Sequence, residues 1–207
     1  MKKFLFILII FLSSCSPSED SKKSDKNSNN TVEVSGEIKR ITVGNKNAKI
    51  IIIAYESLTC SHCANFHKDV YPLLKKEYID TGLAKIEFRH FPLDIAALNA
   101  SKVAQCKQDQ NLEILESLYS NQQAWVKGNT VEVINSNLKK FLKKEGFEID
   151  FEKCVNDKKI EDFILNDRIE GAKKFEVNAT PTIIINNKKF EKSLNYKNLK
   201  KSLEKLI

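Results

Sequence analysis

The chain has 207 residues, 42% of them hydrophobic, and a formal net charge of +7 at pH 7, a length typical of one good-sized domain or of a domain with an insertion. Its 34 Lys and Arg residues form no dense patch and are not interleaved with aromatic residues, so we expect no nucleic-acid binding. Five cysteines in a chain of this length direct attention to thiol chemistry.

The first residues have the pattern of an export signal. Residues 1–3 are a short basic region, and residues 4–12 are an apolar stretch too short to span a bilayer comfortably. Residues 12–15, Leu-Ser-Ser-Cys, resemble the bacterial lipobox. We therefore predict an export signal over residues 1–14 and a lipid anchor at Cys15; the alternative is an ordinary secretory signal that leaves a soluble mature protein. Both place the protein outside the cytoplasm, in the periplasm, and the lipid would tether it to a membrane surface.

Residues 15–32 are predicted to form the anchor cysteine and a disordered tether. Between residue 16 and about residue 31 the sequence has no hydrophobic residue and is rich in Ser, Lys, Asp and Asn. Such a segment cannot bury enough surface to become ordered. A flexible chain of this length reaches roughly 20 to 25 Å, enough to hold a domain just clear of lipid headgroups.

A Cys-x-x-Cys motif at residues 60–63 follows a buried strand and begins a helix. Residues 50–55 are a β-branched run without a helical period, whereas the apolar residues after the motif recur at helical spacing. Cys60 should therefore lie at the N-terminus of a helix over residues 60–79. We expect that helix to be kinked at Pro72, which lacks a backbone donor.

Two thiols at this spacing can interconvert between a dithiol and a disulfide. At a helix N-terminus the unpaired N–H groups and the helix dipole favour the Cys60 thiolate, and a protonated His62 would strengthen that field. A stabilised thiolate is a good leaving group, so Cys60 should form mixed disulfides and Cys63 should resolve them. The oxidised protein would then donate disulfides.

The same cysteines could instead be half of a zinc site. His67 could supply a third ligand, but Cys106 and Cys154 stand alone in the sequence and no fourth ligand is evident. A metal-binding lipoprotein that uses Cys60, Cys63 and His67 is therefore the alternative from another class of function. In the redox interpretation we expect neither a metal nor another cofactor.

The rest of the chain is predicted to be strands around a helical block. Residues 93–175 have helical periodicity, with one apolar face per helix that includes Ile95, Leu98, Phe163 and Ala172. Asn186 and Asn187 should form a hairpin turn, since Asn tolerates positive φ. The remaining predicted elements are strands within 32–43 and at 84–90, 182–185 and 188–191, and a final helix at 196–207.

Cys106 and Cys154 both lie in the predicted helical block. An oxidising compartment keeps paired thiols oxidised, so we predict a structural disulfide between them. The alternative is two buried free cysteines, since Cys106 falls on an apolar stripe.

The chain resembles the DsbA family of bacterial thiol-disulfide oxidoreductases. The resemblance rests on the motif at 60–63 after a buried strand, the helical block, and residues 179–182, Ala-Thr-Pro-Thr, before the returning strand. It implies an α/β, thioredoxin-like fold with an all-helical insertion. The thioredoxin-like domain would comprise 33–92 and 176–207, and the insertion 93–175. It also implies that Pro181 is cis and that Pro181 and Thr180 lie beside the active disulfide and shape a substrate groove.

The family's activity implies that this protein is an exported, monomeric enzyme that introduces disulfides into unfolded or partly folded secreted proteins. A membrane quinone-linked protein would reoxidise it. Two departures from the family pattern, Ser61 in place of proline and Thr180 in place of valine, leave a disulfide isomerase or reductase as the alternative.

A third departure concerns a buried acidic residue that relatives carry where this chain has Ala54. Glu56 lies two residues further along the same strand face and could act as the proton relay. The alternative is that Glu56 is a partly exposed charge at the end of the strand.

Overall fold

Five strands form one sheet in the computed structural model, which describes residues 37–207. They are β1 (Ile41–Gly44), β2 (Ile50–Glu56), β3 (Ala84–His90), β4 (Thr182–Ile185) and β5 (Lys188–Lys189). Their order is β1-β3-β2-β4-β5, in which β2 and β3 are parallel and the other neighbours are antiparallel. The predicted export signal, Cys15 and the tether lie outside the described residues.

The central strand β2 is buried because it has a hydrogen-bonded neighbour on each side and helices on both faces. Ile52, Ala54 and Tyr55 have no exposed surface, and Glu56 ends the strand in the interior. The prediction of a fully buried run was wrong at Ile51, which is 40% exposed. The strand therefore leads directly from the core to the Cys-x-x-Cys motif.

The motif helix is widened where a kink was predicted. It consists of α1 (Ser61–Asn65), a π-helical turn (Phe66–Val70), α2 (Tyr71–Leu74) and a second π-helical turn (Lys75–Ile79). Tyr71 N–H donates to the Phe66 carbonyl, five residues earlier, just before Pro72. Proline cannot donate to the preceding turn and its ring crowds a carbonyl there, and a wider turn accommodates both effects.

Six helices connect β3 to β4, as the predicted insertion required. One further helix, α9 (Tyr196–Leu203), follows β5 and ends four residues before the predicted end at residue 207. Within residues 37–207, no helix combines the length and the apolar character that crossing a membrane requires. The helices of the block are α3 (Ile95–Cys106), α4 (Asn111–Ser120), α5 (Gln122–Trp125), α6 (Val131–Lys144), α7 (Phe151–Asn156) and α8 (Lys158–Phe175).

Two helices of the block bury a different face from the predicted one. Ile95 is 59% exposed and Leu98 only half-buried, because α3 packs through a row of small residues that lets its neighbours approach closely. Ala172 on α8 is exposed and Phe163 half-buried; the buried face includes Gly171. The buried residues of α3 that form this row are Ala96, Ala97, Ala100 and Ala104, with Val103 between them.

Gly171 marks the closest approach of α8 to the sheet. A Cβ atom built at this position would lie 2.7 Å from Cε1 of Tyr55, a distance shorter than Cβ atoms show to their neighbours in real structures. The tyrosine ring occupies the space where a side chain would otherwise lie. The insertion is therefore packed tightly against the strand that leads to the motif.

The hairpin turn at Asn186 and Asn187 is confirmed, since both residues have positive φ, 45° and 64°. The strand after it is shorter than predicted. β5 comprises only Lys188–Lys189, although Phe190 N–H still donates to the Ile183 carbonyl at 2.9 Å.

A disulfide joins Cys106, at the end of α3, to Cys154 in α7. It closes a loop of 48 residues, so we expect the variant Cys106→Ala/Cys154→Ala to lose about 4 kcal/mol of unfolding free energy. Denaturant unfolding, with the Cys60 and Cys63 pair in one redox state for both proteins, measures the difference. An unchanged midpoint would contradict the prediction.

Candidate active site

The Cys-x-x-Cys motif lies where β2 ends and α1 begins, as predicted. Cys60 is the N-cap of α1, and its carbonyl accepts from the N–H groups of Cys63 at 3.1 Å and Ala64 at 3.2 Å. Cys60 is partly exposed, whereas Cys63 has no exposed surface. An external thiol or disulfide can therefore reach the Cys60 sulfur but not the Cys63 sulfur.

The surroundings of Cys60 lower the pKa of its thiol to about 5. The largest cause is the hydrogen bond from the Cys63 thiol; burial opposes it, and the Thr180 side chain and the N–H groups of Cys63 and His62 add to it. The His62 imidazole is exposed and hydrogen-bonds to none of the described residues. Among the described contacts, the main-chain N–H of His62 is the one that lowers the Cys60 pKa, and the contribution of a protonated His62 ring stays a prediction.

The Cys63 thiol has the opposite character. Burial, the hydrogen bond to Cys60 and the charge of Glu56 raise its pKa strongly, so it remains protonated. Its sulfur also accepts from the N–H of Ser57 at 3.5 Å. The two sulfurs therefore form an asymmetric pair, one an accessible thiolate and the other a shielded thiol.

The Thr180–Pro181 peptide bond is cis, and this segment lies against the active cysteine. When it is protonated, the Cys60 thiol donates to the Thr180 carbonyl oxygen, 3.3 Å away. Thr180 Oγ1 is buried and has no other hydrogen-bond partner among the described residues, which leaves it available to the sulfur. A groove of about 550 Å³ runs beside these residues, between the motif helix and the segment before α9. Its lining includes His62, Phe66, Val70, Thr180, Pro181 and Leu194.

Glu56 is deeply buried, so the alternative of a partly exposed charge at the strand end was wrong. Its Oε2 atom lies 2.8 Å from Nε2 of His67, and the two side chains are 3% and 5% exposed. The imidazole stacks on Tyr119 with ring centroids 4.1 Å apart. This pair was missed as a unit, because the sequence interpretation considered His67 only as a metal ligand.

The zinc alternative receives no support from the geometry. The His67 ring is hydrogen-bonded to Glu56. Within residues 37–207, no three His, Cys, Asp or Glu side chains converge in a way that could hold a metal ion. The ligand set of Cys60, Cys63 and His67 is therefore not assembled.

Two residues of the insertion hold the motif loop and were also missed. Gln122 Nε2 donates to the carbonyls of Leu58 at 2.8 Å and Cys60 at 3.0 Å. Asp94 accepts from Thr59 Oγ1 at 2.6 Å through one oxygen, and through the other it caps α3. The helical block thus fixes the loop that carries the reactive sulfur.

Comparison with known proteins gives a consistent result. A family model described as thioredoxin matches residues 37–205. The chain is similar to the crystal structure of Wolbachia pipientis alpha-DsbA1, with a TM-score of 0.71 and 32% sequence identity over 80% of this chain and 89% of that one. It is also 27% identical to disulfide bond formation protein D of Bacillus subtilis, over 79% of this chain and 75% of that protein.

The rickettsial relatives are longer than the part they share with this chain. A Rickettsia bellii protein named as a protein-disulfide oxidoreductase is 33% identical over 70% of this chain, and the match covers 56% of that protein. For a Rickettsia typhi relative with a similar name the corresponding share is 54%.

Proposed function

We propose a function on the premise that the chain belongs to the thioredoxin family and, within it, to the DsbA-like proteins. The proposed function is the oxidation of dithiols of substrate polypeptides through Cys60 and Cys63. The observation that carries the proposal is the asymmetry of the two sulfurs. An exposed sulfur with a low pKa is attacked easily and leaves easily, whereas a buried one reacts only within the protein.

The exchange takes place in two steps. A substrate thiolate attacks Cys60 Sγ of the oxidised protein, so that a substrate–Cys60 disulfide forms, the Cys60–Cys63 bond breaks, and Cys63 leaves as a thiolate that takes up a proton. A second substrate thiolate then attacks the substrate sulfur of the mixed disulfide, and Cys60 leaves as a thiolate. The substrate loses two electrons and the protein gains them.

The neighbouring residues have distinct proposed roles. The main-chain N–H of His62 stabilises the Cys60 thiolate. Thr180 and Pro181 shape the groove in which the substrate backbone lies, because they border both the sulfur and the cleft beside it. Glu56 serves as the proton relay for Cys63, since it is the carboxylate whose charge acts on that thiol.

The low pKa of Cys60 favours disulfide donation over reduction or isomerisation. In the mixed disulfide, Cys60 is the better leaving group, so the substrate is released oxidised. The departures at Ser61 and Thr180 are compatible with a weaker oxidant. An isomerase or reductase is therefore the outcome that the experiment below must exclude.

The proposed setting is the periplasm. Residues 1–14 would direct export, Cys15 would carry a lipid, and the tether would hold the domain near the membrane. There a quinone-linked membrane protein would reoxidise it, and its substrates would be exported polypeptides that still carry free cysteines. The relatives in the DsbA family support this setting.

A stoichiometric transfer reaction tests the activity. Oxidised protein is mixed with a reduced peptide that carries two cysteines, without oxygen or glutathione, and both products are followed by mass spectrometry. We expect one peptide disulfide per protein molecule. The variant Cys106→Ala/Cys154→Ala is the control, and it should transfer equally because its remaining disulfide is the active one. Rearrangement of scrambled disulfides without net oxidation of the reduced peptide would instead indicate an isomerase.

A further inference from the structure

His67 lies four residues after Cys63 on the motif helix and has no assigned role in disulfide exchange. We propose that His67 passes a proton between Glu56 and a cleft open to solvent each time the Cys63 thiol gains or loses a proton. The inference rests on the proposed exchange through Cys60 and Cys63. It makes His67 a positioning residue, because it acts on Cys63 through Glu56.

The geometry of the pair fits this role. Nε2 of His67 is bonded to Glu56 Oε2, and the imidazole is held in one orientation by surrounding rings. Tyr119 stacks on it at 4.1 Å, and Phe88 and Tyr71 lie with centroids 5.2 and 5.4 Å away. A buried imidazole with a fixed hydrogen bond on one nitrogen retains the other for a second partner.

That second partner can be water. A cleft of about 630 Å³ lies between the motif helix and the start of α5, and His67 and Tyr119 are among the residues that line it. The other lining residues include the polar side chains of Ser61, Asn65, Lys68 and Gln122, which offer hydrogen-bond partners to water along the cleft. His67 therefore borders both the buried carboxylate and a space that admits solvent.

Cys63 needs such a route because it has no exposed surface. A buried thiolate without solvent is costly, and the nearby Glu56 charge makes it costlier. Glu56 Oε1 is buried and has no hydrogen-bond partner among the described residues. The other oxygen of the carboxylate is hydrogen-bonded to His67, and Tyr119 lies close enough for the Glu56 carboxylate to raise its pKa.

The proton balance is as follows. When a substrate thiolate breaks the Cys60–Cys63 bond, Cys63 keeps the electron pair and takes the proton shared by Glu56 and His67. The pair, now one proton short, is restored from water through His67. In the reverse direction Cys63 gives its proton to the pair, His67 releases one to water, and the Cys63 thiolate attacks the mixed disulfide at Cys60.

Other titratable groups around the ring stay neutral. Burial raises the pKa of Tyr119 on α4 and of Tyr71 on α2, where Glu116 adds to the effect. His90 lies opposite Glu56 in the β2–β3 register, and burial lowers its pKa to about 4. Glu56 is thus the group that exchanges charge with His67, and the neighbours do not compete for the proton.

The test separates the two steps of oxidation by oxidised glutathione. Reduced protein is quenched with acid at successive times, and the Cys60–glutathione intermediate is quantified as it forms and decays. His67→Gln keeps a hydrogen bond to Glu56 but cannot titrate. We expect it to slow the decay, which requires the Cys63 proton to leave, by about tenfold or more. Formation should change by less than about twofold, because it uses only the Cys60 thiolate.

The decay of the unmodified protein should level off at high pH, whereas the decay in His67→Gln should continue to rise with pH. Lys68→Gln is the control, since this neighbour lines the same cleft and does not contact Glu56. Equal slowing of both steps, or equal slowing by Lys68→Gln, would overturn the relay. If oxidised glutathione does not convert the Cys60 and Cys63 pair of the unmodified protein to the disulfide, the proposed exchange is refuted instead.

A second variant and a measurement on the unmodified chain keep the test decisive if His67→Gln does not fold. Glu56→Gln should slow the decay similarly, and adding His67→Gln should slow it little further, because both residues serve one route. In the unmodified protein, the NMR titration of the His67 ring should differ between dithiol and disulfide forms. Identical titrations would overturn the proposal.

Discussion

Cys63→Ser is expected to accumulate as a covalent complex with disulfide-bearing substrates, and Cys60→Ser is expected to form no complex and to lose oxidase activity completely. The reason is the unequal access to the two sulfurs. Cys60 is partly exposed and can attack an external disulfide, whereas Cys63 has no exposed surface and can only resolve the product. Non-reducing electrophoresis and mass spectrometry of the mixed disulfide measure both results.

Serine is the informative replacement for Cys63 because its hydroxyl can still donate to the Cys60 sulfur. That hydrogen bond is the largest cause of the low Cys60 pKa, so the trapped species should form at neutral pH. Cys15→Ser should be present in every variant compared, which removes a further thiol from the assay. Complexes that form through Cys63 in Cys60→Ser would contradict the assigned roles.

The parts of the site that could be predicted are those with a local sequence signal. The β-branched run before the motif and the helical period after it located Cys60 at a helix N-terminus, and the structure agrees. Asn186 and Asn187 were predicted as a turn because few residues tolerate positive φ. In each case neighbouring residues determine the conformation, so a single sequence is sufficient.

The contacts that hold the site together have no such signal. Gln122 and Asp94 reach the motif loop from the insertion, 62 and 35 positions from their partners Cys60 and Thr59. Polar residues at these places are typical of a solvated helix end. These residues meet the motif loop only because the insertion packs against the sheet, and hydrophobic periodicity in the sequence does not predict that packing.

The buried faces of the insertion illustrate the same limit. Hydrophobicity favoured Ile95 on α3, but the helix buries its alanines and exposes Ile95. Neighbouring helices approach closely where the side chains between them are small, so the most hydrophobic side chain did not identify the buried face of the helix. The pair of Glu56 and His67 was missed for a related reason, since two polar residues in a core are tolerated only when they meet.

The midpoint potential of the Cys60 and Cys63 pair should change its pH dependence near pH 5. Below that pH, reduction adds two electrons and two protons, so the potential falls by about 59 mV per pH unit. Above it, Cys60 remains a thiolate, whose pKa is lowered to about 5. Reduction then adds two electrons and one proton, and the slope should be about 30 mV per pH unit. Redox equilibration with glutathione from pH 4 to pH 8 measures both slopes.

The sign of the effect follows from linkage. A depressed thiol pKa stabilises the folded dithiol fully above the ordinary thiol pKa, and this contribution is lost as the pH falls through about 5. At pH 7, about two units above the lowered pKa, this contribution stabilises the folded dithiol by at most about 2.7 kcal/mol. That energy corresponds to a shift of about 60 mV towards a more oxidising pair. Partial exposure of Cys60 reduces both figures. Cys63 adds nothing at pH 7, because its raised pKa keeps it protonated in the folded chain and the ordinary thiol pKa of about 8.5 keeps it mostly protonated in the unfolded chain. A slope of about 59 mV per pH unit that continues up to pH 8 would show that the thiolate is not stabilised, because the ordinary thiol pKa is about 8.5. Together with a potential at or below roughly −200 mV at pH 7, that result would assign the protein as a reductase or isomerase.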